Sequence, residues 1–225
     1  MAPEPRQLAL IFDLDGVIVD SRAVHTETWR EYLRQFGREL PDTFAREIFG
    51  RHNDDIVRRL FGGPLSHAEI IAHGAAKEAL YRVRVKPLLK ERLVAGVAAF
   101  IAQHAGWPMA VASNAERANV EFVLQTADLR RFFRVVVDGQ QVERPKPGPD
   151  IYLLAAERLG ARPADCVVFE DSYAGVEAAR SAGARVVGVQ TTHTELAGAE
   201  LLIRNFLAPE LEPWLGARYT VNRST

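Results

Sequence analysis

The stretch Leu8-Ala9-Leu10-Ile11-Phe12-Asp13-Leu14-Asp15-Gly16-Val17-Ile18-Val19-Asp20-Ser21 decides the fold. Its apolar start is unbroken, and Asp and Gly end it. A strand covered on both faces shows no apolar–polar alternation, so this run reads as a buried strand of a parallel sheet. In an open α/β sheet the carboxyl ends of the strands border the ligand crevice. Asp13 and Asp15 therefore stand where ligands bind. Two carboxylates two residues apart repel each other unless something positive joins them. Gly16 lets the chain turn sharply behind them.

Beyond Ser21 the period changes. Val24, Trp29, Tyr32, Leu33 and Phe36 recur at helical spacing, and Gly37 marks the stop. Asp54 to Phe61 fits a short helix with Asn53 as its cap and Gly62-Gly63 as its end. Ser66-His67-Ala68-Glu69 is a capping-box pattern that opens a third helix, running to about Arg84. No strand pattern occurs between Ser21 and Pro87.

From Pro87 onward helix and strand alternate. Helices are expected over 96–106, after Asn114 to about Gln125, over 150–159 and over 173–182. Strands are expected over 109–114, 135–139, 166–172, 186–189 and 201–203. This alternation predicts an α/β fold: a parallel sheet with right-handed crossovers and an inserted all-helical block. The expected division is a core of residues 1–20 and 88–225 and a helical insert of residues 21–87.

Of the 225 residues, 48% are hydrophobic and 25% are charged, with a formal net charge of −1. That charge gives no electrostatic reason to expect nucleic acid or an anionic membrane as partner. No stretch is long and apolar enough to span a bilayer, and Met1 to Arg6 lacks a signal-like apolar core. The one cysteine, Cys166, lies in an apolar run and has no intrachain partner, which suits a reducing compartment. A cytoplasmic protein, monomeric or weakly dimeric, is expected.

Polar residues gather at the strand ends: Asp13 and Asp15, Ser113 with Asn114, Lys146 just before its helix, and Glu170 with Asp171. In a parallel sheet these ends share one edge. Acidic oxygens from this set suit a small hard cation such as Mg2+. Read alone, Glu170-Asp171 also fits a pair of acids at a helix start. Ser113 and the backbone amides of Asn114, Leu14 and Asp15 can bind oxyanions. Lys146, between two prolines, supplies a positioned positive charge. Such a set can neutralise a phosphoryl group in transfer. Asp13 is then the nucleophile and Asp15 the acid and base.

Asp13-Leu14-Asp15-Gly16-Val17, Ser113-Asn114, Lys146 in Arg-Pro-Lys-Pro-Gly-Pro-Asp, and Glu170-Asp171-Ser172 before Ala174-Gly175 resemble the four ordered motifs of the haloacid dehalogenase superfamily. The resemblance runs along essentially the whole chain. It implies a Rossmann-like core, a magnesium cofactor held by Asp13, Asp15, Glu170 and Asp171, a nucleophile at Asp13, and a helical cap after the first strand. Asp15, which the dehalogenases and phosphonate hydrolases of that superfamily lack, places the chain with the phosphatases and phosphomutases.

His25-Thr26-Glu27-Thr28-Trp29 resembles the cap entry of β-phosphoglucomutase and related sugar-phosphate phosphatases, where a histidine contacts substrate or general acid. Lys77 falls where those relatives carry a cap lysine facing the core. Taken alone, both residues also fit an ordinary helix surface. The mutase's lysine and arginine for a distal phosphate align with Phe49 and Asn53 here, with Arg51 and His52 close by. The expected activity is hydrolysis of a small-molecule phosphate ester through an aspartyl-phosphate. Sugar phosphomutase is the alternative, and a non-catalytic binding protein on the same fold is the alternative of another class.

Overall fold

The computed structural model describes residues 8–41 and 53–221. Met1 to Gln7 lie outside them, as do Phe49, Arg51 and His52. Six strands form one parallel sheet: β1 (Ala9–Phe12), β2 (Met109–Ser113), β3 (Val135–Asp138), β4 (Cys166–Glu170), β5 (Arg185–Val189) and β6 (Leu201–Ile203). Their order is β3-β2-β1-β4-β5-β6. The chain winds outward from β1 in both directions, which places the crevice of a doubly wound sheet at the end of β1. Register brings Phe12 level with Val111 on one side and with Phe169 on the other. The residues just beyond, Asp13, Ala112 and Glu170, therefore come side by side.

Alternation along β1 feeds two different layers. Leu8, Leu10 and Phe12 join an apolar core with α5 (Val97–Gln103), α6 (Arg117–Thr126) and α9 (Leu211–Val221). Ala9 and Ile11 face the other way, toward α7 (Asp150–Leu159) and α8 (Tyr173–Ser181). That second layer is rich in alanine: Ala110, Ala112, Ala155, Ala156, Ala178 and Ala179 are all buried in it. Small side chains let these two helices lie close to the sheet, next to the strand ends that carry Asp13 and Glu170.

Among the described residues of 21–87, the α-helices are α1 (Arg22–Arg34), α2 (Asn53–Phe61) and α3 (His67–Val85). They enclose a small core of their own, including Trp29, Leu33, Val57 and Ile70. The base of α3 is different: Tyr81 and Val85 belong to the large core with Phe12. The capping box forms as read, with Ser66 accepting from the Glu69 amide and Glu69 accepting from the Ser66 amide. Asn53 is not a cap. It lies within α2, and its side chain turns to Glu78. The helix expected over 96–106 ends at Gln103, and α9 and the short α4 (Leu89–Arg92) were not anticipated. Among the described residues, no helix is long and apolar enough to cross a membrane.

Phe12 is the centre of the large core. Its ring stacks on Phe169 at 4.8 Å and meets Phe133 at 5.7 Å edge-on, with Phe100 and Phe206 just beyond. Phe12→Ala should cost about 3–5 kcal/mol. Leu153→Ala, at a 40% exposed position, should stay within about 0.5 kcal/mol. Urea unfolding of the two variants checks both.

Candidate active site

The strand ends converge on Lys146. Its ammonium lies 2.7 Å from Asp13 Oδ1, 2.6 Å from Glu170 Oε1 and 3.0 Å from the Ala112 carbonyl. The loop that carries it is pinned by Asn114, whose Oδ1 accepts from the Lys146 amide at 3.1 Å. Asn114 thus places the lysine as well as lining the cavity. Tyr152, on α7, donates to Glu170 Oε1 at 2.6 Å, and its ring centre lies 5.0 Å from the ammonium. Glu170 Oε2 accepts from the Asp171 and Ser172 amides and from Ser172 Oγ. Glu170 is wholly buried, yet each of its oxygens is well satisfied.

Asp171 faces the cavity, and its Oδ2 accepts from Thr192 Oγ1. Two glycines make room for these carboxylates. A Cβ at Gly16, which has φ of 79°, would overlap the Asp171 carboxylate, and one at Gly175 would overlap that of Glu170. Asp13, Glu170 and Asp171 each bring an oxygen within 4.8 Å of the others. Burial raises the Asp13 carboxyl to about 7; Lys146 opposes the rise, and Glu170 and Asp15 add to it. Burial, with Glu170 and Asp13, holds Asp171 well above the usual carboxylate range. Burial works against the Lys146 charge, but Asp13 and Glu170 more than offset it and raise that pKa. Three buried acids around a single ammonium have charge left to balance. The donor set and the cradle fit a small divalent cation.

Asp15 is not a member of that group. Its Oδ1 accepts from Ser21 Oγ at 2.5 Å and faces His25 Nε2 at 3.6 Å. Burial would raise its pKa, but His25 and Ser21 together lower it. His25 stacks flat on Tyr81, 3.8 Å between ring centres, and its Nδ1 lies 2.8 Å from Lys77 Nζ. Lys77 is 2% exposed, so it is no surface charge. It pairs with Glu78 at 2.7 Å. One cavity is lined by the two aspartates, His25, Lys77, Ser113, Asn114, Lys146 and Asp171. Arg51 and His52 lie outside the described residues.

Several contacts were not legible from the motifs. Tyr152, Ser21 and Thr192 hold catalytic-site carboxylates, and Glu78 and Asn119 line the cavity on the helical side. Glu78 had one available signal, its place beside Lys77. Thr192 had none, because it lies in a loop with no periodic pattern.

These raised carboxyl pKa values link metal binding to pH. Asp13 and Asp171 lie above their ordinary 3.8 in the folded protein. The stability that Asp13 contributes is present below about pH 4 and is lost as pH rises through about 7, and that of Asp171 is lost in the same direction. Mg2+ should therefore raise the melting temperature more at pH 8 than at pH 5. Equal shifts at the two pH values would contradict this.

A family model described as haloacid dehalogenase-like hydrolase matches residues 8–183. The fructose-1-phosphate phosphatase YqaB of Escherichia coli is 35% identical over 185 residues, 82% of this chain and 97% of that one. The β-phosphoglucomutase of Bacillus subtilis is 30% identical over 205 residues, 87% and 88% of the two chains. The crystal structure of a haloacid dehalogenase hydrolase, family IA, variant 3, from Entamoeba histolytica superposes with a TM-score of 0.82 at 26% identity, covering 93% and 98%. The chain belongs to the haloacid dehalogenase-like hydrolases.

Proposed function

We propose that the protein is a magnesium-dependent phosphatase acting on a small monophosphorylated metabolite, sugar phosphates included, through an aspartyl-phosphate at Asp13. The observation that carries this reading is the Asp13 carboxylate, held by Lys146 at the end of β1 with Glu170 and Asp171 beside it. The names of the relatives support the same reaction class.

Asp13 Oδ1 is fixed by Lys146, which leaves the other carboxylate oxygen to attack phosphorus. Asp13, Glu170 and Asp171 would hold Mg2+, and when bound it supplies positive charge for the phosphoryl oxygens. The Ser113 hydroxyl would meet the same oxygens, and the Lys146 charge would stand behind Asp13. Asp15 would protonate the leaving oxygen, then take the proton of the water that attacks the phosphoenzyme. His25 and Ser21 hold its carboxylate in place for that exchange. The helices of residues 21–87 would act as the cap that keeps bulk water out.

The phosphomutase reading keeps its place because of the B. subtilis relative. A mutase retains its intermediate by a second phosphate grip, normally Arg or Lys. Asn53 supplies no charge, and its amide is already bound to Glu78.

Phosphorus NMR of β-glucose 1-phosphate and fructose 1-phosphate, with enzyme and Mg2+, separates the two activities. Net release of phosphate without any bisphosphate primer is expected. Isomerisation to glucose 6-phosphate outpacing release would instead establish the mutase. Asp13→Asn should fold normally and lower turnover by about 1,000-fold or more.

A further inference from the structure

Outside the four motifs, one loop touches a candidate cation ligand, the turn behind Asp15 and the helical insert at once. Residues 190–194 follow β5, and Thr192 and His193 line the catalytic cavity. Gln190 closes the loop: its amide donates to the Ile203 carbonyl at 2.8 Å, and its side chain donates to the Thr194 carbonyl at 2.5 Å. Thr191 Oγ1 donates to the Gly16 carbonyl at 2.5 Å. Thr192 Oγ1 donates to Asp171 Oδ2, and the Thr192 carbonyl accepts from Arg22 Nη2, at the start of α1, at 2.9 Å. The His193 ring packs on Tyr173, at the start of α8, with 4.3 Å between ring centres.

Asp171 needs such a hold. Lys146 pairs with Asp13 and Glu170, and among the described residues no lysine or arginine pairs with Asp171. The three acids nevertheless bring oxygens within 4.8 Å of one another. Like charges that close push the unpaired carboxylate away, and an aspartate can swing about two torsions. Gly16 provides the space that the Asp171 carboxylate occupies, but space alone does not aim it. A hydroxyl has a single proton to donate. Thr191 lies 3.4 Å from Asp171 Oδ2 but makes its shorter bond to Gly16, so Thr192 is the donor on which Asp171 depends. Threonine is stiff about its first torsion. With its backbone tied through Arg22 and Thr191, it presents a fixed hydroxyl to one carboxylate oxygen. Among the described residues nothing donates to Asp171 Oδ1, which leaves that oxygen for a cation.

Resting on the phosphatase reading, we infer that Thr192 is a positioning residue for the cation: its hydroxyl aims the Asp171 carboxylate and thereby sets Mg2+ affinity. Thr191 holds Thr192 to the turn at Gly16, and Arg22 holds it to the first helix of the insert. Thr192 acts through Asp171, so its loss changes how much Mg2+ is needed rather than the rate once Mg2+ is bound.

The test measures Mg2+ affinity in two ways at pH 8. Melting temperature against Mg2+ concentration, without substrate, gives an apparent Kd. Hydrolysis of p-nitrophenyl phosphate over the same range gives the half-saturating Mg2+ concentration and kcat. Thr192→Val keeps the side-chain shape and removes the hydroxyl. It should weaken Mg2+ binding by about 10–100-fold in both measurements. At saturating Mg2+ its kcat should stay within about threefold of the wild type. Thr192→Ser keeps the donor and should restore most of the affinity. Thr191→Val cuts the tie to Gly16 while leaving the Thr192 hydroxyl in place, and should weaken binding by about fivefold. It decides the matter if Thr192→Val does not fold, and unchanged affinity there then overturns the proposal. Wild-type affinity in a folded Thr192→Val, or an equal loss in Thr192→Val and Thr192→Ser, also overturns it. So does a lower kcat at every Mg2+ concentration with affinity unchanged, which is the mark of a merely structural residue. A wild type that Mg2+ neither stabilises nor activates sinks the magnesium-dependent phosphatase reading and this proposal with it. Mg2+-dependent wild-type hydrolysis confines a failure to Thr192.

Discussion

The Lys146 ammonium sits between two carboxylates, 2.7 Å from Asp13 and 2.6 Å from Glu170, in a place almost closed to water. Removing one partner of such a buried group leaves an uncompensated charge, which costs far more than the net worth of the pair. The fold is arranged so that none of the three is left alone. Asn114 pins the lysine's loop, Tyr152 and the Ser172 region hold Glu170 in place, and β1 delivers Asp13 at the sheet edge. Even so, Asp171 adds a third acid with no ammonium of its own. That surplus of negative charge suits a small cation beside the ion pair.

Sheet order makes this possible. With β1 flanked by β2 and β4, the end of one strand can carry Asp13 while its neighbours bring Glu170 to the same level and Ser113 one residue beyond. Phe12 and Asp13 are consecutive, so a ring at the centre of the core and the carboxylate at the sheet edge share a backbone. The packing that holds Phe12 against Phe169 also fixes where Asp13 stands. The helical side contributes through a different chain of contacts, from Asp15 to His25, Lys77 and Glu78. These contacts meet at His25, which faces Asp15 on one side and Lys77 on the other.

Much of this was legible in the sequence. The unbroken apolar runs announced buried parallel strands, and residue types at their ends announced the edge where chemistry would occur. Asp13, Lys146, Glu170 and Asp171 were readable because acids and a lysine at strand ends are rare without a purpose. Tyr152, Ser21, Thr192 and Asn119 were not readable. Each is an ordinary residue for its element, and each matters only through a partner distant in the chain: Tyr152 meets Glu170, and Asn119 meets Glu78 across from another helix. Asn53 misled for a physical reason. Its amide serves a cap or a buried carboxylate equally well, and Glu78 lies within reach. Helix α9 was missed because Pro213 and Gly216 interrupt its pattern, while Leu211 and Leu215 anchor it to the core.

The central claim is that Asp13 carries the phosphoryl group. It is tested most directly by acid-quenching the enzyme during turnover of a phosphate ester with Mg2+, reducing the acyl phosphate with borohydride, and mapping the product by peptide mass spectrometry. The account predicts conversion of Asp13 alone to homoserine, in an amount that falls when substrate is exhausted. Turnover with an unmodified Asp13 peptide at every quench time, or modification at Asp15 in its place, would contradict it.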